Sequence, residues 1–249
     1  MIFYDSLVQI YDELFPVNPA TLAFIGKPPR RGALALDLGC ASGGHSLALA
    51  QGSWQVLGLE PAALMLAEAK RRAEELGLSQ RIEFRQAGML DVHMELAPGS
   101  ASLVLCIGNT LPHLKDGSEL ALFFKEAARA LEPGGRLILQ VLNYQKILAD
   151  KPAKLPDLRL GDKVFSRRYQ YRGDGSVDFF SSFGPKTAGE RPENAVRLYP
   201  FTPGALVAAA DGQGFVPRGI YASWNEEDFD PQASDMLVLD LETPRAQRR

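Results

Sequence analysis

Two acids and a run of small residues stand out for the chemistry their spacing allows. Asp37 precedes the segment Leu38-Gly39-Cys40-Ala41-Ser42-Gly43-Gly44, and Glu60 follows at about the 20-residue spacing of an acid that meets a ribose. An acid at Asp37 could orient the small-residue turn or receive a ligand ammonium. Glu60 could accept from two ribose hydroxyls at once. Small residues let a ligand touch backbone, and free N–H groups at a helix start favour a carboxylate or phosphate. Together they outline a nucleotide or nucleoside pocket. Taken singly, Gly39-x-Ala41-x-x-Gly44 also passes as a degenerate dinucleotide fingerprint, Asp37 as a solvated turn residue and Glu60 as a helix-capping acid.

These residues need a scaffold, and the chain supplies one in alternating pieces. Ala33–Leu38 is an apolar run that predicts a strand, and an apolar-periodic stretch to about Gln51 predicts a helix after the turn. Gln55–Leu59 predicts a second strand closed by Glu60, with Pro61 in the first turn of a helix that stops at Gly77. Arg81–Arg85 predicts a short strand, and Leu103–Ile107 an all-apolar one buried on both faces. Glu119–Leu131 is helical, with Leu120, Phe123, Ala127 and Ala130 inward, and Glu132-Pro133-Gly134-Gly135 turns into a strand at Arg136–Leu142. This alternation predicts a parallel sheet with helices on both faces.

The ends differ in character. Residues 2–25 carry Tyr4, Leu7, Tyr11, Leu14, Phe15 and Leu22 at helical spacing, broken by Pro16 and Pro19. Residues 151–160 are rich in Pro and Lys without periodicity, after which Val164–Tyr171, Val177–Phe183 and Ala195–Tyr199 predict a small antiparallel patch. Thr202–Asp211 is a helix with Pro203 in its first turn. Arg218–Trp224 and Met236–Leu241 read as a closing hairpin, and Thr243–Arg249 as a disordered tail. The expected organisation is therefore a helical lid over residues 1–32, a ligand-binding core over 33–150, an antiparallel β insertion over 151–200, and the end of the core over 201–249.

The totals narrow the class. Among 249 residues, 46% are apolar and 23% charged, enough for a full core in one domain with an insertion. With 27 basic against 30 acidic residues the net charge is −3, which offers no general attraction to nucleic acid or an anionic membrane. No apolar run reaches the ~18 residues of a membrane span, and the start lacks a basic flank, so the expectation is a cytoplasmic protein without nucleic-acid or membrane partners, monomeric or homodimeric. Cys40 and Cys106 are the only cysteines and lack metal-ligand spacing; both are expected to be reduced. No metal site is expected.

One further stretch discriminates among nucleotide ligands: Leu131-Glu132-Pro133-Gly134-Gly135-Arg136-Leu137-Ile138. With Asp37, the small-residue loop and Glu60, in that order, it resembles the class I S-adenosylmethionine (SAM)-dependent methyltransferases over residues 33–142. The resemblance implies a Rossmann-like, mostly parallel seven-stranded sheet, S-adenosyl-L-methionine as cofactor, and cofactor contacts from Asp37, Gly39, Cys40, Ala41, Gly43, Glu60, Pro61, Met65, Gly88, Met89, Leu90, Ile107 and Gly108. Two positions depart from the family pattern. Ala41 stands where the family has a glycine, which the loop tolerates if its φ is negative. Gly88 stands where an acid often receives the adenine amino group; Asp91 lies nearby, a backbone carbonyl could serve instead, and Met89 could pack on the ring.

The resemblance also implies where the methyl goes. In this fold it faces the loop after the fourth strand, here Gly108–His113. That loop lacks the Asn-Pro-Pro-aromatic tetrapeptide of DNA amino-methyltransferases. Cys106-Ile107-Gly108-Asn109-Thr110-Leu111-Pro112-His113-Leu114, with Asn143-Tyr144, instead resembles the glycine/sarcosine N-methyltransferase-like enzymes, whose N-terminal lid tyrosines Tyr4 and Tyr11 resemble too. The expectation is methyl transfer to a small-molecule amine or amino acid, with Asn109 accepting from cofactor or substrate and His113 as a possible proton acceptor. On the insertion, alternation puts Phe165, Arg167, Tyr169 and Tyr171 on one face, where aromatic walls and a guanidinium suit a small carboxylate. Arg197 is a second candidate. O-methylation, a NAD-dependent oxidoreductase and a non-catalytic SAM-binding protein are the alternatives.

Overall fold

The computed structural model describes residue 4, residues 7–185 and residues 193–245. Among them, seven strands form one sheet: β1 Leu34–Leu38, β2 Gln55–Leu59, β3 Ile82–Arg85, β4 Ala101–Cys106, β5 Leu131–Leu142, β10 Val216–Tyr221 and β11 Met236–Glu242. The order is β10-β11-β5-β4-β1-β2-β3. β1 to β5 are parallel, β11 runs antiparallel to β5, and β10 antiparallel to β11. A second sheet, β6 Lys154–Leu160, β7 Lys163–Tyr171, β8 Val177–Pro185 and β9 Asn194–Leu198, is antiparallel throughout.

The apolar runs account for the first sheet. Every residue of β4 is buried, as a central strand covered by helices on both faces requires. One face packs on Phe123, Phe124 and Ala127 of the Gly117–Ala130 helix, together with Leu206 and Phe215. The other packs on Leu47, Ala50, Leu66 and Ala69 of the helices after β1 and β2. From β1 the chain winds outward through β2 and β3, then crosses back to place β4 on the other side of β1. That reversal opens a crevice beyond the carboxyl ends of β1 and β4, where open α/β sheets bind ligands.

Several local expectations are corrected. Pro61 lies before the Ala63–Glu75 helix, whose N-cap is Ala62, so it ends the approach to the helix instead of opening its first turn. Pro19 starts a helix, capped by Asn18, where its missing N–H costs nothing. β5 already begins at Leu131, and its register with β4 slips between Ala101 and Leu103 to absorb Pro133, Gly134 and Gly135. Residues 144–150 form a helix, and the Pro- and Lys-rich stretch contains β6, an edge strand, where a proline loses no ladder bond. The expected tail begins later: Thr243 is buried, its N–H and hydroxyl bonded to the Gly135 and Glu132 carbonyls, while residues 246–249 lie outside the described residues.

Candidate active site

The turn after β1 is held by backbone conformations that only small residues adopt. Gly39 has φ +75°, and a Cβ there would collide with the Thr110 methyl from the loop after β4. Gly43 has φ +81°, and a Cβ would sit 2.8 Å from Phe84 Cζ. Gly43 thus sets the start of the Gly44–Gln51 helix against β3, and it lines neither cavity described below. Ala41 also has a positive φ, 50°, contrary to the expectation of a negative one. The loop keeps the left-handed turn a glycine would give, at a cost of about 1–2 kcal/mol. In return the alanine packs in a cluster with Leu7, Met65 and Phe165.

The two acids occupy different places around this turn. Glu60 is buried; its Oε2 accepts from Ala41 N at 3.0 Å and its Oε1 from Ala62 N at 2.8 Å. It therefore shapes the loop through the backbone on both sides of the turn. Asp37 is buried at the end of β1 and accepts from Ser46 Oγ at 2.6 Å. Burial pushes its carboxyl up to about 6, against the lowering by the Ser46 bond, and the charge of Glu60 adds to the rise. A carboxyl raised in this way gains by meeting a cation.

Two cavities open here, of about 290 and 340 Å³, and they meet at Tyr4, Tyr11, Gly39, Ala41, Gly108 and His113. The larger is walled by Glu60, Pro61, Met65, Gly88, Met89 and Leu90, with Asp91 beside them. Asp91 Oδ2 accepts from Gly88 N at 2.9 Å, so an acid stands at the position the glycine leaves bare. The smaller runs from Asp37, Cys40 and Ile107 to the inner face of the second sheet, where Phe165, Arg167 and Tyr169 line it. Both cysteines are buried free thiols, and burial raises both.

Tyr4 and Tyr11 close the junction from the N-terminal side. The Tyr4 hydroxyl lies 2.8 Å from His113 Nε2, and their rings meet edge to face. Burial drives the His113 imidazole down to about 4, so it is neutral at pH 7. Sequence reasoning missed the residue that clamps this segment. Asp12 accepts from Ser42 Oγ at 3.0 Å and from Arg72 Nη1 at 2.6 Å, tying the Tyr11–Leu14 helix to the small-residue loop and to the Ala63–Glu75 helix. Nothing local marks Asp12, because its partners lie 30 and 60 residues away.

The remaining candidates divide. Asn109 lines the smaller cavity with φ +63°, but its Oδ1 already accepts from Leu142 N at 3.1 Å and its Nδ2 donates to the Tyr144 hydroxyl at 3.0 Å. Its carbonyl is engaged by backbone before any substrate arrives. Asn143 is fully buried, accepts from Gln145 N and Lys146 N to cap their helix, and donates to the Pro231 and Ser234 carbonyls. It lines neither cavity. Arg197 lies on the outer face, its Nε bonded to Asp178 at 2.9 Å, also away from both cavities. Among the described residues no cluster of His, Cys, Asp and Glu could hold a metal, and no helix is long and apolar enough to cross a membrane.

Residues 35–135 match the family model described as a methyltransferase domain. This stretch of the chain is similar to methyltransferase domains. The chain is 31% identical over 135 residues to a ubiquinone biosynthesis O-methyltransferase of Idiomarina loihiensis, covering 53% of each. It is 29% identical over 154 residues to a glycine/sarcosine N-methyltransferase of Halorhodospira halochloris, covering 59% of this chain and 55% of that one. The matches span about half the length of these curated relatives. In three dimensions the whole chain resembles the CcbJ methyltransferase of Streptomyces caelestis, with a TM-score of 0.79, 21% identity and 98% of both chains covered. That likeness extends the fold to the N-terminal helices and the second sheet.

Proposed function

We propose that this chain transfers the methyl group of S-adenosyl-L-methionine to a small-molecule acceptor, an amine or amino acid by preference. The observation that carries the reading is the pair of cavities that meet in one shared wall, each with a buried acid at the turn. Glu60, a buried carboxylate on the wall of the larger cavity, suits the ribose hydroxyls, where Met65, Met89 and Leu90 suit a flat base and Asp91 its amino group. Asp37, raised by burial, suits the ammonium of the amino-acid end. The reacting sulfur then lies at the shared wall, between Gly108, Tyr4 and His113.

The cofactor brings its own leaving group, so the chain need only align a nucleophile with the methyl and exclude water. In this reading residues 1–32 form the lid, clamped through Asp12, and residues 151–200 form the cap that selects the acceptor. Tyr4 and Tyr11 shut the junction from solvent. His113, neutral at pH 7, can receive the proton that an amine or hydroxyl acceptor sheds. Arg167 and Tyr169 contact the acceptor from the cap.

Thermal unfolding with SAM, S-adenosylhomocysteine or NAD, followed by a metabolite panel assayed for S-adenosylhomocysteine, tests the proposal. Stabilisation by SAM and turnover with an amine or amino acid are expected. Stabilisation by NAD alone, or SAM binding without turnover of any acceptor, would refute it.

A further inference from the structure

The inner face of the second sheet carries two buried polar atoms without a hydrogen-bond partner among the described residues. Arg167 lines the smaller cavity, and its Nη2 donates to the Pro156 carbonyl at 2.7 Å. Its Nε is buried and has no hydrogen-bond partner among the described residues. Ser181 is Arg167's register neighbour on β8, 1% exposed, and its Oγ is likewise buried without a partner. Leaving two such atoms dry costs about 1–3 kcal/mol each. Their neighbours on that face, Phe165, Phe179 and Leu198, are apolar and line the cavity.

Tyr169, two residues along the same face, is buried and lines the same cavity. Its hydroxyl can donate to an oxyanion there. The carboxylates on this cavity, Asp12 and Asp37, belong to its other end, beside the small-residue turn.

We propose that Arg167, Tyr169 and Ser181 form an oxyanion subsite in the cap, and that the acceptor is an apolar or aromatic molecule carrying a carboxylate-type group at its cap end. The proposal rests on the methyl-transfer reading of the site. It changes how Arg167 acts: Nη2 is committed to the backbone of β6, so the anion meets Nε instead of the full guanidinium fork.

Calorimetric titration of benzoate and of benzylammonium into the chain saturated with S-adenosylhomocysteine tests this. Benzoate should bind at least tenfold more tightly than benzylammonium. Tyr169→Phe and Ser181→Ala should each weaken benzoate about tenfold, the usual worth of a hydrogen bond to a charged group, and leave S-adenosylhomocysteine affinity unchanged. Absent benzoate binding beside bound S-adenosylhomocysteine, or a preference for benzylammonium, overturns the subsite alone. If S-adenosylhomocysteine itself fails to bind the parent chain, the methyl-transfer reading falls first and the subsite with it.

Discussion

Asp37→Asn should make the ligand-free chain more stable while weakening its hold on SAM. The carboxyl is pushed up to about 6 in the folded chain against 3.8 when unperturbed, because burial and the nearby charge of Glu60 outweigh the lowering by the Ser46 bond. Between those values the unfolded chain ionises first, so stability falls as pH rises from about 4 to about 6 and is then level. At about 1.36 kcal/mol per pH unit the loss reaches roughly 3 kcal/mol by neutral pH. Asparagine carries no charge and can still accept from Ser46. Its amide needs an acceptor of its own, which takes back about 1–2 kcal/mol, so the net gain is roughly 1–2 kcal/mol. For a chain of this size that is a rise in Tm of about 2–8 °C. SAM reverses the picture under the proposed binding, in which its ammonium meets the carboxylate in the parent chain and an amide in the variant. Affinity should drop about 10–100-fold, and in the parent chain it should fall as pH drops through 6. Thermal unfolding from pH 5 to 8, with and without SAM, reads both quantities. A variant less stable than the parent at pH 7, or one with parental SAM affinity, would refute the reasoning.

Two further outcomes follow from the same geometry. Gly39→Ala should cost about 2–5 kcal/mol, from a left-handed alanine and the collision with the Thr110 methyl; Thr110→Ser, which removes that methyl, should recover the steric part in chemical denaturation. Because burial holds His113 down to about 4, kcat measured from pH 5 to 8 should show no inflection from this residue, and a step near 6.5 that vanishes in His113→Gln would contradict its neutral state.

The core of the fold and the small-residue turn after β1 were legible because both depend on local pattern. An all-apolar Leu103–Cys106 can only be a strand buried on both faces, and Gly39 and Gly43 mark positions where a side chain has no room. Asp37 and Glu60 were legible because each ends a strand, and adjacent parallel strands bring their ends together. Ala41 shows the limit of that reasoning. Its positive φ is imposed by the Glu60 bond to its N–H and by packing on Met65 and Phe165, none of which its own residue type reveals.

The rest was decided in three dimensions. Asn109 and Arg197 had the right chemistry for a site, yet Leu142 N and Asp178 had already taken them. A residue type states what a side chain can bond to, and only the fold states what it has left. Asp12 and Ser181 carry no local mark, because their roles rest on partners distant in sequence or on a strand register. The sequence by itself determined the sheet, the turn and the acids at its strand ends, since these follow from periodicity and steric exclusion. The tertiary structure decided which polar groups remain unsatisfied and face a cavity, since hydrogen-bonding capacity is used up by contacts that sequence spacing does not show.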